Sequence, residues 1–426
     1  LDSELCKQGY YYSNLWEALP KLISDSGGES NWLHHFLFST IVPNVKTGKY
    51  LVSTFNNNSS SQGCHSFIET YLCPRLVFRA LKKWIRLILT ASKLRGAKKL
   101  FTPQGSVAWL WPMLRRDWLS SIKGTTSIIN CLWIELFEAA LKDIPQQDNG
   151  LYLCENQGWE RAFLHMWPKH GHGKIIGVPH ATVPFWHLYY FDDPRTINAR
   201  DDFSQPLPDQ LAVNGPMAWE AFLESSYRTE QLVEVEALRY LNLVGLTKNI
   251  ETDFSKKNTH QSDPHKIKIL VLGDMIPLSN HQLLCDLEKI MQILPNHYSL
   301  TFKPHPGLDV NMKNYPNLAI QITSEALENI LCSFGLVISA NSTSASVDAF
   351  LAGLPVIIRM DGSSLNLSPL RGQDGVCFVG VVDDFVKAIS SISTLEVANH
   401  KQDYFWIDPH LPRWKALLNL DEQSNS

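Results

Sequence analysis

The sequence predicts an α/β protein with two parallel-sheet units, and three observations carry that expectation. Residues 298–360 read as strand, rigid turn, strand, small polar turn, helix, glycine stop and strand. Residues 151–245 run β-α-β and then β-α, the order from which a parallel sheet is built. Residues 246–265, between them, are polar, charged and poor in apolar side chains, which suits a linker. The expected divisions are 1–245, a linker at 246–265, 266–400, and a tail helix within 401–426.

The stretch 298–360 organises the rest. Tyr298-Ser299-Leu300-Thr301-Phe302 is a half-buried strand that runs into Lys303-Pro304-His305-Pro306-Gly307. Leu336-Val337-Ile338-Ser339 is a second strand, followed by Asn341-Ser342-Thr343-Ser344, a helix, Gly353-Leu354-Pro355 and a third strand. A helix that starts directly after a strand offers unpaired N–H groups and a positive dipole end to an anion. His305, fixed between two prolines at a neighbouring strand end, is placed to donate to the same phosphate. Each feature also has a plain reading, Ser342 as an N-cap and His305 as a loop residue. Together, at the carboxyl ends of strands expected to share a sheet, they favour a nucleotide cradle, because ligands of open α/β sheets bind along that edge. The candidate nucleotide set is Lys303, His305, Pro306, Gly307, Ser339, Asn341, Ser342, Thr343 and Ser344, with Gly273 and Asp274 at the end of the strand 268–272. Gly273-Asp274 is not a G-x-G-x-x-G turn, which disfavours a dinucleotide domain.

In the first unit, the strand 151–154 ends in Glu155-Asn156-Gln157-Gly158, the strand 174–178 in Pro179-His180-Ala181-Thr182, and the strand 210–213 in Asn214-Gly215. Side chains that act on a substrate are expected at these ends, so Asn156, Gln157, Thr182 and Asn214 are candidate substrate contacts. Glu155 is the candidate acid/base, with a strand-end salt bridge as its plain alternative. His180 is a candidate for contact with donor or acceptor. Arg195 lies in a long aromatic-rich segment, 184–208, and suits an anionic sugar. Glu236 either orients site groups or pairs with Arg239. Residues 1–150 are less legible. Helical spacing is visible at 15–23, 67–92 and 127–141. Lys82, Lys83 and Arg86, with Trp84, give two readings, a solvated helix face or a surface that rests on a membrane or meets an acidic acceptor.

Across 426 residues the net charge is −4, so no basic field advertises nucleic acid. The eight cysteines form no C-x-x-C pair, which suits reduced thiols in a cytoplasmic protein rather than a disulfide framework or a zinc site. No metal is expected; His170 and His172 have no further ligands at zinc spacing. No apolar run reaches the ~18 residues of a spanning helix. The opening Leu1-Asp2-Ser3-Glu4 has no signal-peptide pattern and no initiator Met, as expected of numbering that begins inside a longer natural chain.

Two Rossmann-like units, a linker and a returning C-terminal helix resemble the GT-B architecture, in which the units face each other across a cleft. His305-Pro306 resembles the His-Pro motif, and Ser342-Thr343 the Ser-Ser/Thr motif, of bacterial sialyltransferases and the related Kdo transferases; in those families both motifs contact the CMP of the donor. Residues 151–191 together with 235–240 resemble a family of bacterial surface-carbohydrate biosynthesis proteins. The resemblance implies a metal-independent glycosyltransferase with an acceptor-side first unit and a donor-side second unit. Its co-substrate would be a CMP-linked Kdo or nonulosonic, sialic-like acid, with no other cofactor. A glycan or lipid-linked glycan would be the acceptor, in the cytoplasm or in peripheral association with the inner face of its membrane. The Asp/Glu-Asp/Glu-Gly triplet that carries the sialyltransferase base is absent from the first unit, and Glu155 stands at a comparable strand end. A UDP-sugar or CDP-polyol donor, and a non-catalytic scaffold of an assembly complex, are the alternatives.

Overall fold

A computed structural model of the chain describes residues 3–13, 15–16, 18–39, 42–58, 63–93, 96, 99, 102–194, 205–243, 267–295, 297–360, 362, 364–391 and 404–420. Arg195, the linker expectation at 246–265 and the ends of the tail lie outside the described residues. Strands β1 (Ser30–His34) and β2 (Gly63–Phe67) form a parallel pair. Strands β3 (Asn149–Leu153), β4 (Lys174–Val178), β5 (Gln210–Val213) and β6 (Leu232–Glu234) make a parallel sheet in chain order. Strands β7 (Ile267–Leu272), β8 (Tyr298–Lys303), β9 (Ile320–Ile322), β10 (Leu336–Ser339), β11 (Val356–Arg359) and β12 (Val376–Val379) make a third, all-parallel sheet in the order β12-β11-β10-β7-β8-β9.

The central strands of the third sheet are apolar on both faces because helices cover both. Leu270, Leu272, Val337, Val356 and Ile358 pack with Val347, Phe350 and Leu351 of the helix Ala345–Leu351. Their neighbours Ile269, Val271, Leu336, Ile338 and Ile357 pack against Leu283, Leu287 and Ile290 of the helix Pro277–Ile293 and Phe385 and Ile389 of the helix Val382–Ser390. Counted from β7, the strand order is the doubly wound 3-2-1-4-5-6. Its direction reverses between β7 and β10, the crevice where this topology admits ligands.

The chain end stitches the sheets together. The helix Pro412–Leu418 lays Trp414 into a cluster with Trp16, Leu19, Ile176 and Ala212 on the β3–β6 sheet. Just before it, the Trp406 N–H donates to the Asn214 carbonyl (3.1 Å) and the Ala237 N–H to the Trp406 carbonyl (2.8 Å). Tyr404 and Phe405 share one buried cluster with Ala237, Tyr240 and residues of the six-stranded sheet. Gly215 is required here by close approach: a Cβ would sit 2.1 Å from the Tyr404 carbonyl oxygen.

Three sequence expectations change. The helical reading of 67–92 gives way to the end of β2, a 3-10 turn and a helix confined to Pro74–Lys93. The helix at 15–23 occupies Leu19–Asp25 instead. The sequence also predicts a helix from Ser324 to Ser333, and the structure keeps Leu327–Ile330 plus one 3-10 turn.

Candidate active site

At the switch point, Asp274 follows β7 and Ser342 follows β10. The Ser342 hydroxyl donates to Asp274 Oδ2 at 3.0 Å, bridging the two strand ends. The other carboxylate oxygen accepts from the Ile276 N–H (2.6 Å), and Asn280 closes the turn by accepting from the Asp274 N–H (2.9 Å) and donating to its carbonyl (2.7 Å). Asp274 is buried, so this fixed geometry keeps a carboxylate at the base of the crevice. This corrects the reading of Ser342 as an N-cap. The helix begins only at Ala345, with Ser344 at the cap position and no side chain capping it. Among the described residues, the main-chain N–H groups of Asn341, Ser342, Ser344 and Ala345 meet no acceptor. The Ser339 hydroxyl, fully buried, has no partner among the described residues. Asn341 holds the 364–367 loop, donating to the Leu365 carbonyl and accepting from the Leu367 N–H, and Thr343 is buried beside it.

His305 and Ser342 lie on opposite sides of β7. Lys303 and Ser339 both register with Leu272, which sets their strands about 9.6 Å apart. Both residues therefore stand at the carboxyl edge of the same sheet, after the two strands that flank β7. His305 is half-buried and accepts from the Gly307 N–H at Nδ1 (3.0 Å), which orients the ring. Pro306 and Gly307 are exposed. The Lys303 amine, at the end of β8, donates to the Glu325 carbonyl.

On the facing sheet, Glu155 after β3 and His180 after β4 come together, with His180 Nε2 3.6 Å from Glu155 Oε1. The Glu155 side chain is 45% exposed and that of His180 only 10%, so the carboxylate is the member of the pair an acceptor can reach. Burial lowers the His180 pKa; Glu155 opposes that shift and Arg239 reinforces it. His180 Nδ1 is buried without a partner among the described residues. The neighbouring candidates hold the scaffold. Asn156, in a left-handed conformation, accepts from Arg161 (2.8 Å). Gln157 donates its N–H to Glu160 (2.7 Å) at the start of the helix Gly158–Lys169. Asn214 donates to the carbonyls of Pro179 and Ala181, and Thr182 is buried beside that loop. Glu236 is taken out of the substrate set: fully buried, it accepts from the N–H groups of Arg413 (3.1 Å) and Trp414 (3.2 Å) and from the Arg413 guanidinium (3.2 Å), not from Arg239.

Two residues that the sequence reading passed over complete the arrangement. Arg239 lies in the 3-10 turn Leu238–Tyr240 after β6, exposed and without an ion-pair partner among the described residues. Its charge is felt by His180 on one side and by Asp348, on the helix Ala345–Leu351, on the other. Burial pushes the Asp348 carboxyl up to about 7, and Arg239 opposes the shift. The only sequence signal for Asp348 is a lone carboxylate in the apolar run Val347-Asp348-Ala349-Phe350-Leu351. Unfolded, this acid titrates near 3.8; folded, near 7. Its contribution to stability is therefore complete below the lower value and lost as pH rises through the higher one. Asp348→Asn is expected to flatten the fall of Tm across that window, measured by scanning calorimetry in a pH series. An unchanged slope would place the titration elsewhere.

No protein-family model and no curated protein matches the sequence. Solved structures do. The calicheamicin glycosyltransferase CalG4 aligns over 98% of this chain and 95% of its own at 10% identity, with a TM-score of 0.51. The kitacinnamycin glycotransferase aligns over 98% and 96% at 10% identity, TM-score 0.47. The UDP-GlcNAc 2-epimerase from Neisseria meningitidis, bound to UDP-GlcNAc, aligns over 70% and 82% at 12% identity, TM-score 0.42. The fold is thus mixed α/β with parallel sheets in separate domains, as in glycosyltransferases of the GT-B type.

Proposed function

We propose that the chain is a GT-B glycosyltransferase that holds a nucleotide sugar along the carboxyl edge of the six-stranded sheet and transfers the sugar to a hydroxyl acceptor. The observation that carries this reading is the Ser342–Asp274 bridge across the topological switch point, beside main-chain N–H groups that meet no acceptor among the described residues. In this account the N–H groups at 341–345 take the donor phosphate. Arg239 neutralises charge developing on the leaving group, and the His305 ring lines the same edge. Glu155 removes the acceptor proton, with His180 as its neighbour. No metal ion is required of these residues, because Arg239 and the free N–H groups supply the positive field.

The donor is a CMP-linked acidic sugar of the Kdo or nonulosonate class, a reading supported by the likeness of His305-Pro306 and Ser342-Thr343 to the CMP-contacting motifs. A thermal-shift screen of CMP, CDP, UDP and GDP tests it. CMP is expected to raise Tm most, and His305→Ala and Ser342→Ala are each expected to reduce that rise. A response to UDP alone would replace the donor and keep the transferase. No response to any nucleotide would favour the scaffold reading.

A further inference from the structure

The helix Pro74–Lys93 carries an apolar stripe on its outer side. Phe78, Leu81, Ile85 and Leu89 fall within about 80° of one another at 3.6 residues per turn. All four are exposed, Phe78 at 70%, whereas Leu76 and Ala80, on the opposite side, are the helix's buried residues. Arg75, Lys82, Arg86 and Lys93 form a second strip directly beside the apolar one, again by helical geometry. The helix Trp111–Lys123 has no buried residue and touches the first. Met113, in its first turn, and Trp109, in the 3-10 turn Gly105–Leu110 just before it, are 67% and 69% exposed. Both helices rest on the helix Thr125–Asp143, where the fully buried Glu135 holds Arg79 and Lys83 at 2.7 Å each. The exposed stripe is therefore presented by an anchored helix.

Charge points to the occupant. From 74 to 123 the sequence holds twelve Lys and Arg against one acid, Asp117, in a chain whose net charge is −4. A second copy docking through the same face would bring like charges together. An acidic protein would satisfy the lysines and arginines but not the convex line of large apolar side chains. An anionic bilayer satisfies both, taking the apolar stripe at the headgroup boundary and the basic strip among the phosphates. We infer that the helix Pro74–Lys93, with Trp109 and Met113, is an interfacial docking face for anionic lipid. No described helix is long and apolar enough to cross a membrane. The inference does not depend on the transferase reading, since its test measures binding alone.

The test is co-sedimentation of the full chain with phosphatidylcholine vesicles, with and without phosphatidylglycerol. Binding is expected only with phosphatidylglycerol present, and it should weaken steeply with salt. Phe78→Glu with Ile85→Glu is expected to reduce partitioning by about tenfold or more. Lys82→Gln with Arg86→Gln should weaken it and reduce its salt dependence. All four positions are exposed, so Tm is expected to stay unchanged and to confirm folding. Failure of the chain to sediment with either vesicle overturns the inference. So does binding that both double variants leave intact. A lipid-free dimer, seen by analytical ultracentrifugation and dispersed by the Phe78 and Ile85 changes, would assign the face to a second copy instead.

Discussion

Glu155→Gln is expected to leave nucleotide binding unchanged and to cut turnover by roughly 10²–10⁴-fold, the usual contribution of a positioned general base. The substitution keeps the size and planarity of the side chain and removes only its capacity to accept a proton. Glu155 does not hold the fold: its side chain is 45% exposed, and Glu160 secures the surrounding turn by accepting from the Glu155 and Gln157 N–H groups. A structural role would therefore show as a fall in Tm, and a catalytic one as a fall in kcat at constant Tm. His180→Ala should have a smaller effect on turnover, because the imidazole acts on the carboxylate rather than on the acceptor. Assays of turnover with calorimetric measurement of nucleotide affinity separate these outcomes. Normal turnover in Glu155→Gln would transfer the proton step to another group, with Asp348 the next candidate.

Trp414→Ala is expected to cost about 3–5 kcal/mol of stability, the range for truncating a buried large aromatic. Trp414 is fully buried, and its indole N–H donates to the Glu236 carbonyl at 2.9 Å. Without it, the helix Pro412–Leu418 loses its apolar anchor, and the buried Glu236 carboxylate loses the ordered N–H groups of 413 and 414. The effect extends to function because Glu236 lies three residues before Arg239 on the same short connection. Loosening that connection should also weaken nucleotide affinity. Urea denaturation reads the first effect and calorimetry the second. A loss below about 1 kcal/mol would mean that the tail is not part of the folded unit.

The sequence made the buried strands legible and left their order hidden. Ile269 to Leu272, Leu336 to Ile338 and Val356 to Ile358 are continuous apolar runs, which is what a strand covered on both faces must be. β1 and β2, Ser30-Asn31-Trp32-Leu33-His34 and Gly63-Cys64-His65-Ser66-Phe67, lack such runs and were not foreseen. That β10 pairs with β7 rather than β9 is a tertiary fact, so the switch point could not be read directly. The same limit explains the site. The Ser342 hydroxyl has a local use as a helix cap, but Asp274, 68 residues away, takes it. Glu236 has a local partner in Arg239, but the structure pairs it with Arg413, 177 residues away. Glu155 and His180 were legible because each ends a strand, and strand ends in a parallel sheet converge. Arg239 and Asp348 were not, since a single charge in a short turn or an apolar helix has no pattern of its own.

The most direct test of the central claim is a crystal structure of the chain soaked with CMP. The account expects the phosphate at the N–H groups of 341–345, within hydrogen-bond reach of Ser342 or Ser344 and on the side of the crevice that Arg239 faces. A nucleotide bound away from the carboxyl ends of β7 and β10, with that crevice empty, would contradict it.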